Sequence, residues 1–363
     1  FAAIIVFILL AGFLHSQELK PDSSIRMGEL DNGLSYYIKD NSFPENQTFL
    51  RLVVASGSID ENENQLGLAH FMEHMAFNGT EKYPGNRIID FLEKSGVRFG
   101  PDLNAYTSYD RTVYMINFPT SDMNTIEQGI EILAEWAGRI SMEQKEIDKE
   151  RGVVLEELRR GKGAGERISR FHTENLLKGS VFVDRDPIGK AEILKNFKRE
   201  ELVSFYTDRY RPELMAVIAV GQFDTELIEK EIREKFSYLK RGKTLKIADK
   251  SVPIGKDPVA AVYADKEAEA TEFTVYYRIP HENVTTEQQY RASIVKALFS
   301  NMLTNRYEEL KSSKNPPFIS AYSGFGSMFD TMSFCTVAAT LKNDSVISGI
   351  DAVTAELARV IRH

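Results

Sequence analysis

Leu66-Gly67-Leu68-Ala69-His70-Phe71-Met72-Glu73-His74-Met75-Ala76-Phe77 is the stretch on which the reading of this 363-residue chain turns. It is apolar almost all round, the mark of a buried helix, yet it carries two imidazoles and a carboxylate in an H-x-x-E-H spacing. On a helix, residues four apart share a face and residue i+3 lies beside them. His70 and His74 can therefore grip one metal ion while Glu73 leans over the same spot. One isolated histidine on an apolar helix reads as a core residue with satisfied ring nitrogens. Three polar groups on one buried stripe are different, because without a shared partner they would cost on the order of several kcal/mol. A metal ion offsets that cost, and a catalytic zinc takes three protein ligands and leaves a fourth position to water.

The chain has six histidines and one cysteine, Cys335, which lies far away in sequence. The third ligand is therefore sought among carboxylates of another helix. Met142 to Arg160 reads as helical and offers Glu146, Glu150, Glu156 and Glu157. At 3.6 residues per turn, Glu157 lies almost directly two turns along from Glu150. Both fall on the face carrying Val153, Val154 and, at its edge, Leu158, while Glu156 is rotated well away. Glu157 is assigned as the third ligand. Glu150 is assigned as a second catalytic-site carboxylate on the same stripe, placed to orient the site or to hydrogen-bond a ligating histidine. Glu156, Lys149 and Arg159 read as a solvated charged face.

Around these residues, Gly67 to His74 is followed by Phe77-Asn78-Gly79-Thr80 and later by Glu150-Arg151-Gly152-Val153-Val154-Leu155-Glu156-Glu157. With Leu30-Asp31-Asn32-Gly33-Leu34 and Phe99-Gly100-Pro101-Asp102-Leu103-Asn104-Ala105-Tyr106-Thr107-Ser108-Tyr109, the chain resembles the pitrilysin/insulinase family of zinc metallopeptidases, the inverzincins. Within that family it most resembles the PqqL-like bacterial zinc proteases, over nearly its whole length after the leader. The resemblance implies Glu157 as the metal ligand, in agreement with the helical phase, across a gap from His74 a little longer than usual. It also implies two halves closing around a peptide, with an arginine and a tyrosine of the C-terminal half completing the site. The expected cofactor is one Zn²⁺ per chain. The expected partners are a peptide substrate and the C-terminal half of the same full-length protein.

A net charge of -8 and the absence of a basic patch or Gly-rich phosphate loop argue against nucleic acid. With 42% hydrophobic and 27% charged residues, the chain is globular, with room for about two domains. Phe1 to Gly12 is an apolar run too short to span a membrane and reads as the core of a signal peptide cut near Ser16, its basic n-region missing. The protein is thus expected to be exported, periplasmic or secreted, with a membrane anchor as the alternative. One cysteine makes no internal disulfide.

Strands are expected at Leu34 to Ile38, Thr48 to Ser56, Asn104 to Phe118 and Met215 to Val220, with helices at Asn86 to Ser95, Asn124 to Leu177 and Glu201 to Tyr206. Then the sequence repeats. Tyr109 to Ile140 aligns without gaps on Phe329 to the C-terminus, Tyr114 on Phe334, Thr120 on Thr340, Gly129 on Gly349 and Ile130 on Ile350. Upstream, Ala105-Tyr106-Thr107 recurs as Ala321-Tyr322-Ser323, and the helix expected at Gln288 to Lys311 carries no histidine. The fold class is α+β, a duplicated module of mixed or antiparallel sheet with helices packed on it, the second copy cut short at the C-terminus. Its parts are a leader at 1–16, a catalytic domain at 25–239, a linker at 240–258 and a second, non-catalytic domain at 259–363.

Glu73 is the expected general base and then general acid of metal-assisted peptide hydrolysis. Substrate is expected as an extended strand on the edge Asn104 to Ser108, with Asn104 holding a main-chain carbonyl and Tyr106 lining the cleft, both by family analogy. Two alternatives stand beside a zinc endopeptidase for extended or unfolded peptides. One is a non-catalytic peptide-binding or assembly member of the same fold, the other a peptidase that trims targeting sequences. Mn²⁺, Co²⁺ and Fe²⁺ also suit two imidazoles and a carboxylate.

Overall fold

Strict alternation builds the first sheet of the computed structural model, which describes residues 17–242, 248–255 and 257–362. The leader expected at 1–16 lies outside the described residues. In β3 (Thr48–Val54), Thr48, Leu50, Leu52 and Val54 are buried and the residues between them are not. β5 (Thr112–Phe118) and β6 (Met215–Gly221) flank β3, both antiparallel to it. With β1 (Ile25–Glu29), β2 (Ser35–Asp40) and β4 (Leu103–Thr107) they form a six-stranded sheet of order β1-β2-β6-β3-β5-β4. β2 and β6 pair in parallel, so the sheet closes only when the chain returns to insert β6 between β2 and β3. β1 escapes the sequence reading because it is a short edge strand whose side chains are mostly exposed and do not alternate in burial.

The helices of this unit are α1 (Leu68–Met75), α2 (Arg87–Lys94), α3 (Met123–Gly138), α4 (Gln144–Arg160), α5 (Ala164–Leu176), α6 (Ala191–Asn196), α7 (Arg199–Arg209) and α8 (Thr225–Phe236). α1 is buried at Leu68, Ala69, Phe71, Met72, Glu73 and Met75. A helix so enclosed must have its terminal backbone groups satisfied by protein. At its start Gly67, at φ 101°, offers no side-chain cap. Glu61 supplies one instead, accepting from the Gly67 N–H at 3.0 Å and the Ala69 N–H at 2.8 Å. Gly67 is also where Gly189 comes closest, since a Cβ on Gly189 would stand 2.3 Å from the Gly67 Cα. At the far end the buried Trp136 of α3 donates its indole N–H to the Ala76 carbonyl at 2.9 Å.

The second unit takes in residues 251–362 together with 17–21. β7 (Thr271–Pro280), β8 (Ser320–Met328) and β9 (Met332–Leu341) pair in the order β7-β9-β8, which reproduces β3-β5-β4. α9 (Glu287–Lys311) and α10 (Val346–Arg362) pack on this sheet. The aligned glycines play one part in both units. A Cβ on Gly129 would meet the Phe118 ring at 2.5 Å, and one on Gly349 would meet Leu341 at 2.8 Å, so each helix lies tight on the strand before it. Residues 17–19 join this unit rather than the strand they precede, with Leu19 N–H donating to Thr285 and the Gln17 carbonyl accepting from Glu287.

The two donors of the α1 start also define a stability test. Burial pushes the Glu61 carboxyl up to about 8, the main-chain donors pulling the other way. The folded chain then keeps a proton that the unfolded chain releases near its ordinary value of 4.5. Stability from this group is present below about pH 4.5 and declines as pH rises toward 8, by up to about 1.4 kcal/mol per pH unit. Urea unfolding of Glu61→Gln should lose that slope. Glu61→Ala should cost about 1–3 kcal/mol at any pH by leaving two buried N–H groups unpartnered.

Candidate metal centre

One turn of α1 sets the two imidazoles side by side, with His70 Nε2 and His74 Nε2 at 3.2 Å. From α4, Glu157 Oε2 approaches His74 Nε2 at 3.5 Å and His70 Nε2 at 3.8 Å. These three donors lie within 4.8 Å of one another. Tetrahedral zinc with bonds of about 2.0–2.1 Å spaces its ligand atoms about 3.3 Å apart, so the donor set fits such an ion in number, type and spacing. Glu157 is 50% exposed, and Val153 beside it is equally so. The α4 stripe on which phase placed Val153 and Glu157 thus opens to solvent here, and only Val154 and Glu150 are buried on it.

His74 is oriented from behind. Its Nδ1 meets Glu150 Oε1 at 2.8 Å, which leaves Nε2 for the metal position. Asn78 then bonds Glu150 Oε2 at 2.8 Å and the His74 carbonyl at 3.2 Å. Burial alone would raise the Glu150 carboxyl, but the bonds from His74 and Asn78 outweigh it and hold it below the usual range. Burial likewise works against a charged His74, and the bond to Glu150 reverses the balance, so its value rises. His70 has no such partner. Burial, with His74 alongside, pushes it down to about 4, and its buried Nδ1 has no hydrogen-bond partner among the described residues. A neutral imidazole with its lone pair turned to the site is the form a metal takes.

Glu73 is buried, and burial raises its carboxyl against the pull of one hydrogen bond. That bond comes from Thr107 on β4, whose Oγ1 donates to Glu73 Oε2 at 2.6 Å. β4 is the outer strand of the sheet. Ser108 N–H donates to Arg111 and Asn117 N–H to the Asp102 carbonyl, which puts the even-numbered residues of β4 in hydrogen-bonded register with β5. The backbone groups of Ala105 and Thr107 therefore point to the open edge, while those of Leu103 are taken up by Arg98 and Gly100.

Of the residues singled out in the sequence, His70, Glu73, His74, Glu150 and Glu157 meet at one place. Asn104 and Tyr106 do not reach it with their side chains. Both are exposed, and strand alternation sends them to the face opposite Ala105 and Thr107. The Asn104 side-chain oxygen instead accepts from the Ala105 N–H at 2.9 Å. Asn78 lies in the turn just past the end of α1, three residues after Met75, where no helical periodicity marks it. Thr107 was not legible either, since nothing in a sequence pairs it with Glu73.

Family models match most of the chain. The model for the insulinase peptidases, family M16, covers residues 37–169, and that for the M16 inactive domain covers residues 196–363. The second begins inside the first structural unit, which needs β6 to close its sheet. The probable zinc protease PqqL of Escherichia coli K12 is 33% identical over 368 residues, covering 99% of this chain and 39% of its own length. A zinc protease PQQL-like of Arabidopsis thaliana is 33% identical over 293 residues, covering 80% and 31%. The chain thus spans well under half of either relative. The crystal structure of the first half of the periplasmic protease PqqL from Escherichia coli superposes with a TM-score of 0.87 at 32% identity, covering 94% of this chain and 73% of that one. With its sheet order, its paired histidines and these likenesses in agreement, the chain belongs to the insulinase family of peptidases, M16.

Proposed function

We propose that the protein is a zinc-dependent endopeptidase acting on extended or unfolded peptides. The observation that carries this reading is the meeting of His70, His74 and Glu157 beside a buried carboxylate and an open strand edge. Zinc bound there would supply Lewis acidity toward the scissile carbonyl and toward water. His70, His74 and Glu157 would hold it, and Glu150 with Asn78 fixes the ring of His74. Glu73 takes a proton from the attacking water and passes it to the amine as the C–N bond breaks. One peptide and one water give one carboxylic acid and one amine.

The substrate adds a strand to the edge of β4, pairing with the outward Ala105 C=O and the Thr107 N–H and C=O, and with the Ala105 N–H once it displaces the Asn104 side-chain oxygen. Asn104, whose Oδ1 accepts from the Ala105 N–H, offers its side-chain amide N–H groups to a substrate carbonyl, and Tyr106, 46% exposed, borders the same edge. The lengths of the relatives support a second half of the full-length protein as the partner that completes the chamber. Export to the periplasm is supported by the PqqL structure, described as a periplasmic protease. No helix among the described residues is long and apolar enough to cross a membrane.

The deciding experiment pairs metal content with peptidase activity in the full-length protein and its Glu73→Gln variant, which keeps the shape and removes the base. Both should bind about one zinc, by the three-ligand rule, and only the wild type should cleave unfolded peptides. Zinc in both with cleavage by neither would hand the site to the non-catalytic, peptide-binding reading. In a separate zinc titration against a chelator, Glu150→Gln should weaken affinity about 10–100-fold, the usual effect of losing such a support.

A further inference from the structure

Thr107 joins two parts of the site that are otherwise separate. Its main chain lies on the open edge of β4, and its hydroxyl donates to Glu73 Oε2 at 2.6 Å. Among the described residues, no other hydrogen bond to the Glu73 side chain accompanies it. A carboxylate held at one oxygen has its plane fixed and its second oxygen left to face the reaction. Threonine suits this better than serine, because branching at Cβ limits χ1 and so the direction of the hydroxyl. The same short strand reads the peptide backbone and aims the base, so a peptide seated on the edge is in register with Glu73.

We propose that Thr107 is a positioning residue that orients Glu73 for proton transfer and ties that orientation to strand pairing. This rests on the hydrolytic reading above. Thr107→Val keeps shape and branching but removes the donor. On the zinc-loaded full-length protein we expect kcat to fall about 10–100-fold, the scale of a small misplacement of a reacting group, with KM shifted less than about threefold. Zinc content and the thermal midpoint should hold, and Thr107→Ser should recover most of the rate. In a double-mutant cycle, Thr107→Val on a Glu73→Gln background should change nothing further.

An unchanged kcat in Thr107→Val beside an inactive Glu73→Gln would overturn the inference and leave the hydrolytic reading intact. A loss confined to KM or to zinc content would also overturn it. Wild-type activity in Glu73→Gln would remove Glu73 as the base and the inference with it, whereas no cleavage by the wild type would remove the hydrolytic reading itself.

Discussion

Everything at this site depends on a helix buried on nearly all sides that has to carry charged chemistry. Leu68, Ala69, Phe71, Met72 and Met75 of α1 are sealed in the core, so the helix cannot rock to bring its polar stripe to solvent. Its ends are pinned instead, by Glu61 at the first turn and Trp136 at the last. A metal site needs its ligands held to a fraction of an ångström, and side chains from a helix clamped at both ends meet that need without a loop. The cost is a further buried carboxylate, Glu61, at the start of the helix that carries Glu73.

How much of this could be read in the sequence divides along physical lines. Local periodicity fixed what lies on one element: His70, Glu73 and His74 on α1, and Glu150 with Glu157 on α4. The strong alternation of β3 and β6 was legible for the same reason. What failed to show were groups joined by contacts between elements, at short separation or long. Glu61 capping α1, Thr107 holding Glu73 and residues 17–19 pairing beside α9 carry no periodic signal. The phase argument also found the right face of α4 without saying whether that face met core or water, and Val153 on it is half exposed.

Duplication supplies a control within one chain. The second unit repeats the strand order and the tight glycine contact but not the polar stripe. Its counterpart helix, α9, runs 25 residues where α1 runs 8, and buries Ser300, Leu303 and Tyr307 with no histidine. The architecture therefore stands without the ligands. The histidines were free to be set by chemistry alone, since packing in this fold does not require them.

The open edge of β4 has a further consequence. Among the described residues of β4, Thr107 and the Ala105 carbonyl turn main-chain groups outward with no bond recorded to them, because the Ala105 N–H is held by Asn104 and the Leu103 end is already tied to Arg98 and Gly100. If substrate pairs here as proposed, such an edge would read conformation before side chains, since the amides of a folded chain are engaged elsewhere. On a folded target, attack would then wait on local opening, and the rate would follow the free energy of that opening. Two proteins of like sequence and unlike stability would present this edge with very different concentrations of usable strand.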